Sequence, residues 1–209
     1  MVYPIAKRTL IPFFNLWLRE INGVENFPDG PFIIAANHAS YMDHALIVGN
    51  VIKHQNRKVH FLSKKEHFDN ILKAMWHTYA GAIPLDRQSG GKLALKKAVK
   101  ALKEGKIIAI HPEGTRSLDG KLIRGKTGTA RLVLAAKVPV VPIGLIGTFE
   151  ILPKGRYIPK LKRAAVNIGK PIYFDKYYGR QVTKKLLRKI TNIIMKEIAR
   201  LSKQRYDFD

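Results

Sequence analysis

Short apolar runs rich in β-branched residues recur along the chain at residues 32–36, 59–62, 82–85, 107–110, 138–145 and 165–168. Each has the length of a strand, and Gly, Pro or polar clusters punctuate the intervals. Helix-period stretches lie between them. The cleanest is 92–103, with Leu95, Ala98, Val99 and Leu102 on one face, Lys92, Lys96, Lys100 and Lys103 on the other, and Gly105 where a helix should stop. Strands alternating with amphipathic helices predict an α/β fold, a mixed, mostly parallel sheet flanked by helices. No internal repeat, low-complexity tract or Ser/Gly linker interrupts the pattern, so one domain is expected.

Both ends depart from this alternation. Residues 10–18 (LIPFFNLWL) are the longest apolar run, well short of the ~18 residues a membrane-spanning helix needs. At ~100° per residue, Arg8, Pro12, Asn15 and Arg19 share one narrow polar stripe and apolar side chains cover the rest. Residues 1–20 therefore read as an amphipathic helix in a membrane interface, with Phe13, Phe14 and Trp17 in lipid; a core-packed helix kinked at Pro12 is the alternative. Residues 180–204 carry Val182, Leu186, Leu187, Ile190, Ile194, Ile198 and Leu201 on one stripe and Lys184, Lys185, Arg188, Lys189, Lys196, Arg200 and Lys203 elsewhere. A helix covering the sheet with a solvated outer face is expected there. Between Ile151 and Phe174 stand six basic residues and no acidic one.

The charge sharpens this picture. The 209 residues include 38 Lys and Arg against 15 Asp and Glu, a net charge of +23. Such a surplus calls for a polyanionic partner: nucleic acid, an anionic membrane, or an acidic or phosphorylated substrate. There is no cysteine, which excludes disulfides, a thiolate nucleophile and Cys-ligated metal.

Two segments carry chemistry. Asn37-His-Ala-Ser-Tyr-Met-Asp43 follows the first predicted strand. His38 falls in the loop and Asp43 in the first turn of the next helix, where its carboxylate can reach one ring nitrogen and leave the other as a general base. No protein nucleophile accompanies them, which suits activation of a substrate hydroxyl. His111-Pro-Glu-Gly-Thr-Arg-Ser117 follows the strand at 107–110. There Gly114 allows close backbone approach, Thr115 and Ser117 offer hydroxyls and Arg116 a fork for phosphate. Arg87 ends a further strand segment. Loops at the carboxyl ends of strands share one rim of an α/β sheet, so a base, an anion cradle and a second arginine describe a site for a phosphorylated alcohol.

In order and spacing these blocks resemble the glycerolipid acyltransferase superfamily, most closely the bacterial 1-acylglycerol-3-phosphate acyltransferases. The N-H-x-x-x-x-D block matches at Asn37, His38 and Asp43. The P-E-G-T-R-S block runs from Pro112 to Ser117, with His111 in place of the usual Phe. A third block matches at Gly81, Asp86 and Arg87, a proline block at Val141, Pro142 and Ile143, and a K-T-G-T-A-R-L run begins at Lys126. The likeness covers about residues 12 to 170. It implies residues 21–209 as an acyltransferase domain, with His38 and Asp43 catalytic. Arg87, Glu113, Gly114, Thr115, Arg116 and Lys126 would bind substrate.

The implied reaction moves a fatty acyl group from acyl-CoA or acyl-carrier protein to the free hydroxyl of 1-acylglycerol 3-phosphate, giving phosphatidic acid. No cofactor or metal is expected; a two-His, one-carboxylate set of His38, His111 and Glu113 is disfavoured, because Asp43 already partners His38 in the pattern. The remaining expected partner is an anionic membrane surface, with the protein peripheral or monotopic on the cytoplasmic face and no nucleic acid bound. Glycerol 3-phosphate or another lysophospholipid is the nearer alternative acceptor. A non-catalytic nucleic-acid module is the more distant reading, and it lacks any recognised nucleic-acid-binding motif.

Overall fold

The computed structural model describes residues 7–85 and 91–208. Its strands are β1 (Leu18–Asn22), β2 (Ile33–Ala36), β3 (Val59–Lys64), β4 (Ala82–Leu85), β5 (Ile107–Ile110), β6 (Val140–Ile146) and β7 (Ala164–Ile168), joined in one sheet in the order β1-β7-β6-β2-β5-β3-β4. Its helices are α1 (Leu10–Asn15), α2 (Met42–Gln55), α3 (Ile71–Tyr79), α4 (Lys92–Lys103), α5 (Gly128–Ala136), α6 (Thr148–Ile151) and α7 (Lys184–Ser202). Strands β2 to β6 run parallel, β7 pairs antiparallel with β6, and β1 pairs parallel with β7. The mixed, mostly parallel sheet between helices is the predicted architecture.

The central strand β2 is buried at every position, as a strand covered on both sides must be. Its side chains alternate between two cores. Ile33 and Ala35 face α4, α5 and α7, whereas Ile34 and Ala36 face α2, whose Met42, Leu46, Ile47 and Val51 fill the other layer. The chain leaving β2 thus crosses one face of the sheet, through α2, and the chain leaving the neighbouring β5 crosses the other, through α5. Where adjacent parallel strands send their connections to opposite faces, a crevice opens at their carboxyl ends. Both chemistry-bearing segments begin at that crevice.

Helix α7 covers the sheet, as its apolar stripe requires. Thr183 caps it by accepting the Leu186 N–H at 3.1 Å, Lys203 ends it at φ 56°, and Leu187, Ile190, Ile194, Ile198 and Leu201 are buried. The helix lies so close to β6 and the strand-end glycine beyond β7 that side chains are excluded there: a Cβ on Gly144 would collide with the backbone of Leu201 and Ser202.

The N-terminal segment departs from expectation. Helix α1 closes at Asn15, and the chain turns into β1, so the boundary drawn at residue 20 falls inside a strand. Leu18 and Ile21 are half-buried while Arg19, Glu20 and Asn22 face out. A five-residue strand with three polar positions has little apolar signature of its own; β7 supplies its partner, with Leu18 opposite Ala164. Trp17 is drawn in with it. Its ring is buried among Phe27, Phe32 and Ile151, and its Nε1–H donates to the Lys160 carbonyl at 3.0 Å. Of the three side chains assigned to lipid, Trp17 therefore belongs to the core, Phe14 is half-buried against it, and Phe13 stays exposed.

The Gly144 contact can be checked directly. Backbone cannot yield as a side chain would, so Gly144→Ala should cost about 2 kcal/mol, roughly 4–8 °C in melting temperature for a chain of this size. Gly128, the first residue of α5, has open space where a Cβ would lie, and Gly128→Ala should be neutral or slightly stabilising. Equal melting temperatures for the two variants would disprove the close packing of α7 on β6.

Candidate active site

Asp43 lies in the first turn of α2 and is fully buried. Its Oδ2 accepts the backbone N–H groups of Ala39 and Ser40 and faces His38 Nδ1, all at 2.8 Å. Ser40 completes the helix entry: its hydroxyl accepts the Met42 N–H and donates to the Leu152 carbonyl. This local geometry is why the sequence needs a short polar residue followed three positions later by a carboxylate. An ionised carboxylate accepts hydrogen bonds and donates none. Asp43 therefore fixes the proton of His38 on Nδ1 and leaves the Nε2 lone pair for chemistry. The His38 side chain is 15% exposed, enough to meet a substrate.

The second segment is locked onto the first. Glu113 is buried, and its Oε1 accepts the His38 backbone N–H at 2.7 Å while Oε2 accepts the Ile123 N–H at 3.0 Å. Ser117 N–H donates in turn to the His38 carbonyl at 2.8 Å. Glu113 spends both oxygens on backbone, so it braces His38 and is not turned toward a ligand; the substrate-binding assignment made from sequence does not describe its geometry. Burial pushes its carboxyl from 4.5 up to about 7, outweighing the two N–H donors, with the charge of Asp43 adding to the rise. Asn37 ties the same loop to β6, exchanging two hydrogen bonds with the Leu145 backbone at 2.8 and 2.9 Å.

Two further histidines, His111 and His44, complete the site. His111 lies face to face with His38, ring centres 3.8 Å apart and 8° from parallel, and His44 meets His111 edge-on at 4.8 Å. The nearby carbonyls of Ala36 and Asn37, at 3.0 and 3.1 Å, place the His111 proton on Nδ1. Burial, and then the charge of His38, push His111 well below 6.5 and His44 down to about 4, so both rings are neutral at neutral pH. Ring nitrogens of the three lie within 4.8 Å of one another. In-plane lone pairs on the parallel His38 and His111 rings cannot meet at one point, as a tetrahedral ion requires. Since Glu113 is also engaged, the arrangement is a packed stack. The only sequence signal for it was His111 standing where the resembled family has an aromatic ring.

Two candidate anion-binding side chains, Arg116 and Lys126, belong to the neighbouring P-E-G-T-R segment and the run after it. The Arg116 guanidinium lies flat over the Tyr41 ring at 3.6 Å, and its Nη1 is buried without a hydrogen-bond partner. Gly114 adopts φ +68°, and a Cβ there would come within 3.0–3.3 Å of the Lys126 side chain. Lys126 therefore crosses the P-E-G-T-R turn, held by its own N–H to the Pro112 carbonyl at 2.7 Å. Thr115 is exposed beside it. Arg87, with Asp86, lies outside the described residues.

A His–Asp pair thus lies at the switch point of a mostly parallel sheet, with Arg116 on the neighbouring loop. The chain belongs to the Acyltransferase family, whose model matches residues 19–146. It is 34% identical over 178 residues to a chloroplastic 1-acyl-sn-glycerol-3-phosphate acyltransferase of Brassica napus, covering 82% of this chain and 49% of that one. With the enzyme of the same description from Bacillus subtilis it shares 32% identity over 71% of each chain. The crystal structure of the 1-acyl-sn-glycerophosphate (LPA) acyltransferase PlsC from Thermotoga maritima superposes with a TM-score of 0.71 at 28% identity, over 97% of this chain and 83% of that one. The chain thus spans about half the length of its chloroplast relative and more of its bacterial ones.

The Glu113 brace has a signature in pH. Its folded-state value lies near 7 against 4.5 unperturbed, so between these limits the folded protein keeps a proton that the unfolded chain has released. The contribution of this group to stability is therefore full below about pH 4.5, declines toward pH 7 and stays flat above. Glu113→Gln should lower stability overall by losing one backbone bond, and should remove that slope. Denaturant titrations at a series of pH values measure both, and an unchanged slope would place the ionisation elsewhere.

Proposed function

We propose that this chain transfers a fatty acyl group from the thioester of acyl-CoA or acyl-carrier protein to the free hydroxyl of 1-acylglycerol 3-phosphate, yielding phosphatidic acid. The observation that carries the reading is the 2.8 Å contact between His38 Nδ1 and the buried Asp43 carboxylate; the relatives' printed activities support the substrate class. His38 Nε2 removes the proton of the acceptor hydroxyl as that oxygen attacks the thioester carbonyl. The tetrahedral intermediate collapses with cleavage of the C–S bond, and the departing thiolate recovers the proton from the imidazolium, so atoms and charge balance without an acyl-enzyme. An imidazole can take up a proton at Nε2 and return it, which both transfers require. The positive charge on His38 forms against the Asp43 carboxylate.

Arg116, pre-set by Tyr41, holds the acceptor phosphate, with Lys126 across Gly114 and Arg87 completing the cradle. A thioester donor is an aqueous species, so the reaction is placed at the cytoplasmic face of a membrane, with the protein peripheral on anionic lipid. Among the described residues no helix is long and apolar enough to cross a bilayer. The basic surplus and the exposed Phe13 support that placement.

Thiol release with purified protein tests this. His38→Ala should lose about 10²–10⁴-fold in kcat with an unchanged melting temperature, and Asp43→Asn should be nearly as harmful. Near-parental turnover by folded His38→Ala would rule the mechanism out. Comparing 1-acylglycerol 3-phosphate, glycerol 3-phosphate and a phosphate-blocked lysophospholipid with one donor fixes the acceptor.

The cradle is tested separately. Arg116→Ala should raise the acceptor KM about 10–100-fold, the worth of a charge-assisted contact, while leaving the donor KM nearly unchanged. Arg116→Lys should rescue only in part, because an ammonium lacks the planar fork. Equal losses toward an acceptor without phosphate would make Arg116 structural.

A further inference from the structure

Residues 152–163 form a loop that is firmly held yet presents apolar side chains to solvent. Its start is tied to the active-site loop: Ser40 Oγ–H and the Tyr41 N–H both donate to the Leu152 carbonyl, at 2.8 and 3.2 Å. Its far side is closed by Lys160 N–H on the Ile151 carbonyl at 2.9 Å and by Trp17 Nε1–H on the Lys160 carbonyl. From this frame Tyr157, Ile158 and Leu161 project with 88, 82 and 95% of their surface exposed. Lys154, Arg156, Lys160, Lys162 and Arg163 surround them, all exposed. The Trp17 link sets the loop beside α1, where Leu10, Phe13 and Leu16 are also exposed.

We infer that the 152–163 loop and α1 together form one docking face for an anionic lipid bilayer, and that this face brings the His38 crevice to the membrane surface. Charge complementarity chooses the occupant. Apolar side chains ringed by Lys and Arg, with no carboxylate between Ile151 and Phe174, match a layer that is anionic at its surface and apolar beneath. Exposed Ile71, Leu72, Met75 and Tyr79 on α3 are a rival patch. They lie near β4, at the opposite edge of the sheet from β1 and β7, and their flanking charges are mixed, Glu66 and Asp69 standing among Lys64, Lys65 and Lys73, where the 152–163 loop is basic throughout. The direction in which a lipid acceptor reaches His38 rests on the acyltransferase reading; the docking face itself does not.

Flotation with phosphatidylglycerol–phosphatidylcholine vesicles tests the face without turnover. The parent should bind, more weakly in high salt and only in part to pure phosphatidylcholine, since salt screens charge but not apolar insertion. The triple variant Tyr157→Ser, Ile158→Asn, Leu161→Asn should bind at least tenfold more weakly, with an unchanged melting temperature and unchanged thiol release using a water-soluble short-chain acceptor. Leu72→Asn with Met75→Asn on α3 should bind like the parent. A triple variant that floats as well as the parent, or release by the α3 pair instead, overturns the inference. So does a parent that ignores vesicles but binds an acidic acyl-carrier protein in a way the triple variant loses. Normal flotation of a parent that releases no thiol with any acceptor would sink the acyltransferase reading alone and leave the face standing.

Discussion

A buried carboxylate must be given donors or surrender its charge, and the organisation of this site follows from how Asp43 gathers donors on one oxygen, Oδ2, while Oδ1 has no hydrogen-bond partner. Two of its donors are the backbone amides of Ala39 and Ser40 and the third is the His38 ring. The loop after β2 is therefore wound around the carboxylate, and the orientation of the histidine is a by-product of the winding. Because Asp43 also opens α2, the partial positive charge at a helix N-terminus lies beside it. Charge, helix start and ring position are one interaction.

A second carboxylate does comparable work for a different purpose. Glu113 joins the loop after β5 to the loop after β2 through backbone amides alone, fixing where His38 stands relative to the P-E-G-T-R turn. Burial is what raises its titration. Neutral His111 and His44 then wall one side of His38 with polarisable rings. They stand in the crevice that β2 and β5 open by sending their connections to opposite faces.

Much of this was legible in the chain, for physical reasons that also explain what was not. Strands buried on both faces are continuous apolar runs, so β2, β5 and β6 announced themselves. The spacing from His38 to Asp43 is set by a loop and one helical turn, which a sequence records. Glu113 was misread because its partners are backbone N–H groups, which every residue carries and no residue type marks. Trp17 was misread because nothing within residues 10–18 indicates a partner at Lys160. The stacked histidines appeared only as a departure from a pattern, and Arg87 lies beyond the described residues.

The pairing of β1 with β7 also bears on how the protein is made. Leu18 must wait for Ala164, so β1 leaves the ribosome well before its partner and is among the last strands of this sheet to find its place. During synthesis the apolar stretch around α1 is free while the parallel strands β2 to β6 assemble behind it, and contacts this remote in sequence form slowly. An unattached apolar, basic segment has time to meet a lipid surface before its sheet edge is closed. Where the edge strand finally docks, and with it the Trp17 that steadies the 152–163 loop, the timing of folding and the place of folding become linked.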